Sequence, residues 1–166
     1  MNTNLISSFV LAARALCEFV TNPKEEEDST SFLRATQHHL LHLYQLSIQL
    51  EWMDLPSDME FDEFIHKTHF SETLQTLSLR LGTNRYYWSV FAPTDLRDDE
   101  PVCCDLLDDL GDIYQDLKKA LVIYDLPIEY CKEHAIWQFK FDFETHWGNH
   151  CINALRGIHF FLKAGT

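Results

Sequence analysis

The chain has 166 residues, a length that suits one domain with its own core. Its 26 acids outnumber its 13 bases, for a formal charge of −13. So negative a surface repels phosphate backbones and anionic bilayers, so neither nucleic acid nor membrane is expected as a partner. Aromatic residues are plentiful at 13%, while five glycines and five prolines are too few for the many tight turns of an all-β fold.

Long helices follow from that scarcity. The first is expected from Leu5 to about Val20, where Leu5, Phe9, Ala12, Leu16 and Phe19 recur at three- and four-residue spacing. Pro23 ends it, because proline breaks the hydrogen-bond ladder. The run from Lys24 to Ser29 is charged, lacks apolar anchors and reads as an exposed loop. A second helix, capped by Ser31, runs to about Met53. Residues 54–58 break it, and Glu63 to His66 suits a short turn. Ser71 then opens a helix through Leu74, Leu77 and Leu81, with Gly82 at the left-handed C-terminal position.

The segment Tyr86-Tyr87-Trp88-Ser89-Val90-Phe91 has the composition of a strand. No second strand stands out to pair with it, so it is expected as an aromatic plug against the bundle. Pro101, preceded by Asp98, Asp99 and Glu100, marks a helix start. That helix is expected to reach Tyr124, burying Val102, Leu106, Leu110, Ile113, Leu117 and Leu121. Asp105, Asp109, Asp112 and Asp116 share another side of it. Pro127 opens a last helix that runs back antiparallel to Lys163.

The five cysteines, Cys17, Cys103, Cys104, Cys131 and Cys151, are odd in number and form no Cys-x-x-Cys pair. Each falls in a helical pattern, where a thiol serves as a small apolar side chain. This fits a reducing cytoplasm. Near the N-terminus no basic region precedes the apolar run, and Arg14 and Glu18 interrupt it, so neither a signal peptide nor a membrane span is expected there.

The candidate site is a polar patch on the last helix: His146, Asn149, His150, Asn153 and Arg156, with Gly157 on the same side. Its apolar face holds Ile136, Trp147, Cys151, Ala154, Ile158 and Leu162. Phe139, Phe143 and Phe160 flank the patch, and exposed phenylalanines are usually covered. The patch is therefore a hydrogen-bonded network, a pocket floor or a plain surface. Two histidines four apart, like His146 and His150 or His38 and His42, bind zinc or iron when a third ligand arrives from elsewhere. Trp147 stands where a zincin has its glutamate. Glu63-x-x-His66 has half of a ferritin-type di-iron spacing and no second half. Asp105, Asp109 and Asp112 could share Mg²⁺, though one helix alone does not close such a site. Phosphate-binding and nucleophile motifs are missing, so no cofactor and no catalytic residue are assigned.

Asp108-Asp109-Leu110-Gly111-Asp112-Ile113-Tyr114-Gln115-Asp116-Leu117-Lys118, Phe143-Glu144-Thr145-His146-Trp147-Gly148-Asn149-His150 and Asn153-Ala154-Leu155-Arg156-Gly157 resemble a family of small acidic bacterial proteins catalogued only as a domain of unknown function. The likeness covers roughly residues 74–162. It implies an all-helical bacterial cytoplasmic protein and carries over no activity.

The sequence thus predicts one all-α domain over residues 1–166: a bundle of five to six main helices ending in a long helical hairpin. Its function is expected to be non-enzymatic binding of an unknown protein or small molecule. The alternative is a Mg²⁺-dependent hydrolase of a nucleotide or other phosphorylated small molecule, using the aspartate stripe with Arg156 or the histidine pair. A turn near Leu126–Pro127 sets His146 level with Asp108, Asn149 with Asp105 and Arg156 with Asp98. Either the two polar faces meet as a charged network, or the apolar stripes pack and leave both polar faces outward. Apolar burial is the larger energy, which favours the second arrangement.

Overall fold

The computed structural model describes residues 3–23, 28–55, 61, 70–90, 93–97 and 100–164. The chain is predominantly α-helical, as its composition implied: α1 (Thr3–Thr21), α2 (Ser29–Ser47), α3 (Phe70–Leu81), β1 (Tyr86–Ser89), β2 (Val102–Asp105), α4 (Leu106–Asp125), α5 (Cys131–Asp142) and α6 (Gly148–Ala164). A single π-helical turn, Phe143–Trp147, joins α5 to α6 into one long helical run.

α1 is long and apolar enough to cross a membrane by length and composition alone. In this fold Phe9, Ala13, Leu16, Cys17 and Val20 are buried along one face. Arg14 on another side forms a two-bond ion pair with Asp125 at the end of α4, at 2.9 and 2.5 Å. α2 is capped by Asp28, whose carboxylate accepts from the Ser31 N–H at 2.7 Å. The cap was expected at Ser31. Asp28 is the better cap because its carboxylate also complements the helix dipole. α2 stops at Ser47 instead of near Met53: Ser47 folds its hydroxyl back onto the Leu43 carbonyl at 2.7 Å, and tight turns carry the chain to the buried Leu50. α3 docks through Arg80, whose guanidinium lies over the Phe19 and Phe32 rings at 4.4 and 4.1 Å and donates to the Phe19 carbonyl. Gly82 holds the left-handed conformation expected of it, at φ +58°. The Glu63–His66 turn lies outside the described residues.

Two expectations are corrected between α3 and α4. Tyr86–Ser89 is a strand, and it does have a partner. Val102–Asp105 pairs with it antiparallel, Tyr86 opposite Asp105 and Ser89 opposite Val102. The helix expected from Pro101 therefore starts at Leu106, with Asp105 as its N-cap. Pairing satisfies backbone groups on both segments, and an aspartate serves better as a cap than inside a helix. Cys103 and Cys104 consequently sit on a strand, Cys103 exposed, and not on a buried helix face.

α4 is the central element, packed against α1, α3, α5 and α6. Leu106, Ile113, Leu117 and Ala120 are fully buried, and Gly111 lets α3 approach so closely that a Cβ would lie 2.8 Å from Leu74. Each large apolar side chain so buried contributes roughly 1.5–3 kcal/mol. Beyond α4 the chain turns through Leu126–Tyr130, and Tyr130 adopts a left-handed conformation at φ 65°. α5 thus begins at Cys131, four residues later than the turn at Pro127 implied. Of the predicted apolar face of the last helix, Ile136, Trp147, Cys151, Ala154 and Ile158 are buried.

Candidate functional site

α4 carries Asp109, Asp112 and Asp116 at spacings of three and four, which lines them up along one side of the helix. The neighbouring leucines are locked in the core and fix that side against α6. Asp109 and Asp116 are buried as a result, at 4% and 8% exposure. Facing them, the π turn and α6 carry His146 and His150, with rings 4.9 Å apart.

The two faces meet. The Nδ1–H of His146 donates to Asp116 Oδ2 at 2.6 Å, and the Nδ1–H of His150 donates to Asp109 Oδ1 at 2.8 Å. A carboxylate acceptor requires the proton on Nδ1, which leaves each Nε2 facing elsewhere. His150 Nε2 lies 3.4 Å from Asp112 Oδ2. The strand β1 covers this centre. The Tyr87 hydroxyl donates to the second oxygen of Asp109 at 2.5 Å. The Tyr87 ring rests on Gly157, where a Cβ would sit 3.0 Å from it. Gly157 therefore admits a close neighbour, as its place in the patch suggested, and that neighbour is a side chain of the same chain. Ser89 is buried beside it and accepts from Arg156 Nη1 at 3.0 Å.

Of the facing carboxylate–imidazole–guanidinium network, less favoured by the sequence, the carboxylate–imidazole part is adopted, while Arg156 donates to Ser89 instead of joining it. The competition between apolar burial and polar pairing does not arise, because α4 has neighbours on several sides and does both. The heights differ from expectation. His146 meets Asp116, not Asp108, and His150 meets Asp109 and Asp112. The five-residue connection at Leu126–Tyr130 and the extra residue of the π turn shift the register. Asn149 is exposed and Asn153 half-buried, and neither hydrogen-bonds within the described network. Asp98, expected beside Arg156, lies outside the described residues. Asp105 leaves the aspartate stripe altogether: Arg85 binds it through Nε at 3.2 Å and through Nη2, and it caps Leu107 N–H at 2.9 Å. The Asp105, Asp109 and Asp112 triad is therefore not assembled.

Burial and crowding of like charges perturb the centre. His150 is raised, first by its hydrogen bond to Asp109 and then by the surrounding carboxylates, against an opposing effect of burial. Asp112 is raised by burial. Asp142, one turn before His146, is pushed up to about 6 by burial and by Asp116. The Tyr87 phenol is raised by burial and by Asp109, so it stays a donor.

The π turn depends on glycine. Gly148 N–H closes the wide turn onto the Phe143 carbonyl, and a Cβ on residue 148 would lie 2.2 Å from that oxygen. Such turns often mark functional positions within helices.

The family model for a domain of unknown function, DUF5063, matches residues 1–164. The chain belongs to that family. The match reaches through the first 70 residues, where the sequence itself offered only general helical character. Among solved structures, the chain is similar to protein BF1032 from Bacteroides fragilis, a structural-genomics target. The two are 20% identical with a TM-score of 0.77, over 95% of this chain and 91% of that one. That likeness shows the fold. No curated protein matches the chain.

The remaining clusters have ordinary occupants. His39 stacks on Phe19 at 4.7 Å, while His38 and His42 are exposed. Cys131 and His134 are buried, with the His134 ring edge-on to Phe61 at 4.6 Å and its pKa lowered by burial. A cleft of about 140 Å³ between α1 and α4 is lined by the Arg14–Asp125 pair. It is smaller than the roughly 300 Å³ at which small-molecule pockets begin. Tyr87 and Ser89 are the site residues that sequence reasoning missed. Their signal was the alternation of Tyr87 and Ser89 against Tyr86 and Trp88, which assigns the two pairs to opposite faces of a strand.

Proposed function

We propose that the protein is a non-enzymatic binding module, and that its ligand is a cation held at the centre between α4 and α6. The observation that supports this is the convergence of Asp109, Asp112 and Asp116 on two imidazoles, with no lysine or arginine hydrogen-bonded to any of the three carboxylates among the described residues. Low-dielectric walls focus such a negative field and concentrate cations at its mouth. The formal charge of −13 acts in the same direction at longer range. The Mg²⁺-hydrolase alternative draws less support, because Arg85 neutralises Asp105 away from the other carboxylates.

The test is thermal melting at pH 7 with Mg²⁺, Mn²⁺, Zn²⁺ and the organic dication putrescine, each alone. A ligand at a hundredfold excess over its Kd stabilises by about 2.7 kcal/mol. For a chain of this size that is roughly 5–10 °C. At least one cation is expected to give such a rise, and the Asp109→Asn, Asp116→Asn double variant is expected to lose it. No rise with any of the four cations would sink the reading. Phosphate release from nucleoside triphosphates with Mg²⁺ present is expected to stay at background.

A further inference from the structure

Resting on that reading of the centre as a cation site, we propose that its ligand is a divalent first-row transition-metal ion, bound by Asp112, His146 and His150. One ligand atom from each of these three residues lies within 4.8 Å of the other two. An ion can then sit within about 2.8 Å of all three, so side-chain rotations of less than an ångström bring it to the 2.0–2.2 Å bonds of zinc. The His150 Nε2 to Asp112 Oδ2 distance of 3.4 Å is already that of two ligands on one tetrahedral ion.

The orientation of the imidazoles is the second, independent argument. A metal-binding histidine almost always donates its other ring N–H to a carboxylate, a backbone carbonyl or water, which fixes the tautomer and strengthens the ligand nitrogen. Both histidines here do so, His146 to Asp116 and His150 to Asp109. Both supporting carboxylates are buried, and Asp109 is itself held by Tyr87. A purely structural pair of ion bridges would need two carboxylates. The centre supplies a third, Asp112, on the side of the free Nε2. The π turn adds a third observation: it widens the helix within the residues that carry His146, next to the α6 turn that carries His150.

Two imidazoles and one carboxylate suit Zn²⁺, Fe²⁺ or Mn²⁺ in preference to Mg²⁺ or Ca²⁺, which favour all-oxygen sets. Three protein ligands leave at least one position open, and the His146 side chain is 49% exposed. The ion therefore carries solvent and exchanges from the outside. The exposed His38 and His42 on α2 have the same four-residue spacing and, among the described residues, no carboxylate on their rings, which makes them the internal control.

The test uses the full chain stripped with a chelator, titrated with Zn²⁺ by calorimetry and with Co²⁺ by visible absorption. One ion per chain is expected, with ¹⁵N shifts moving at the Nε2 atoms of His146 and His150 while their Nδ1–H signals persist. Asp116→Asn should weaken Zn²⁺ roughly 10–100-fold, as loss of a supporting carboxylate does. His150→Ala and Asp112→Asn should weaken it by at least as much, and His38→Ala with His42→Ala should leave it unchanged. Asp112→Asn is isosteric at a half-buried position, so it retains a folded test should a histidine variant fail to fold. Zinc binding that survives Asp112→Asn and His150→Ala, or that disappears with His38 and His42, overturns the proposal. Putrescine binding without any metal binding overturns it while leaving the cation-site reading standing. Binding of neither removes both.

Discussion

Replacing Asp142 with asparagine should stabilise the protein, and only where the carboxyl would be ionised. Asp142 is half-buried near Asp116 and titrates at about 6, against 3.8 for the free side chain. Its folded pKa is raised, so the native state holds the proton more tightly than the unfolded chain does. Stability is lost as pH rises from about 4 through about 6, and the loss is constant above that range. A rise of this size corresponds to about 3 kcal/mol at 1.36 kcal/mol per pH unit. Partial exposure screens the charge and reduces the effect to about 1–2 kcal/mol. Asparagine has the same shape, and its carbonyl oxygen still accepts from Gln138, which now donates to Asp142 at 2.7 Å. Asp142→Asn is therefore expected to raise the melting temperature by roughly 2–8 °C at pH 8. The same substitution should have almost no effect at pH 3.5. Parallel denaturation of both proteins at the two pH values measures this. A gain of equal size at pH 3.5, or a loss at pH 8, would refute the electrostatic argument.

Four further outcomes follow from other parts of the fold. In the metal-free chain the His150 imidazole should titrate above the ordinary value of about 6.5, because Asp109 favours its charged form. The stability it contributes is complete below about pH 6.5 and is lost as pH rises through the raised value; NMR titration checks this, and an unshifted or lowered value counts against the hydrogen bond. Gly148→Ala should cost about 1–3 kcal/mol by urea unfolding, the range for overpacking, because the added carbon meets backbone 2.2 Å away. Gly157→Ala, whose new carbon meets the Tyr87 ring at 3.0 Å, should cost less and lengthen the Tyr87 to Asp109 hydrogen bond; equal costs at the two positions would show that the π turn is not what glycine 148 serves. Finally, a thiol reagent should label Cys103 within minutes in the native protein and leave Cys17, Cys131 and Cys151 protected until denaturation. Cys17 and Cys151 are buried and pushed up to about 12 by that burial, so rapid labelling of either would contradict the packing.

The helices were legible because their information is local. Three- and four-residue spacing in α1 and α4, Pro23 after α1 and the left-handed Gly82 after α3 each act within one or two turns. The β1–β2 pair was hidden because its information is not local. Tyr86–Ser89 could be read as strand-like from composition, but its partner begins only at Val102. That partner is preceded in sequence by Pro101 and an acidic run that mimic a helix start. A short segment between two interpretations is settled by what is opposite it, and sequence spacing does not supply that.

The site shows the same division more sharply. His146, His150, Arg156 and the aspartates of α4 were visible as residue types on faces, and the helical hairpin was visible as a topology. Which aspartate meets which histidine was not, because register depends on the length of the turn. Here the turn ends at Tyr130, a non-glycine residue in a left-handed conformation that no composition rule assigns to it. A second offset enters at the π turn, where one extra residue rotates everything after it relative to everything before. Without that turn, His146 and Trp147 would not share their present arrangement, in which the indole is fully buried and the imidazole reaches Asp116. The geometry of the centre is thus set by two backbone irregularities, one at each end of α5. Removing either keeps every side chain of the site and changes which of them meet, so Gly148→Ala should disturb the His146 hydrogen bond before it disturbs the core.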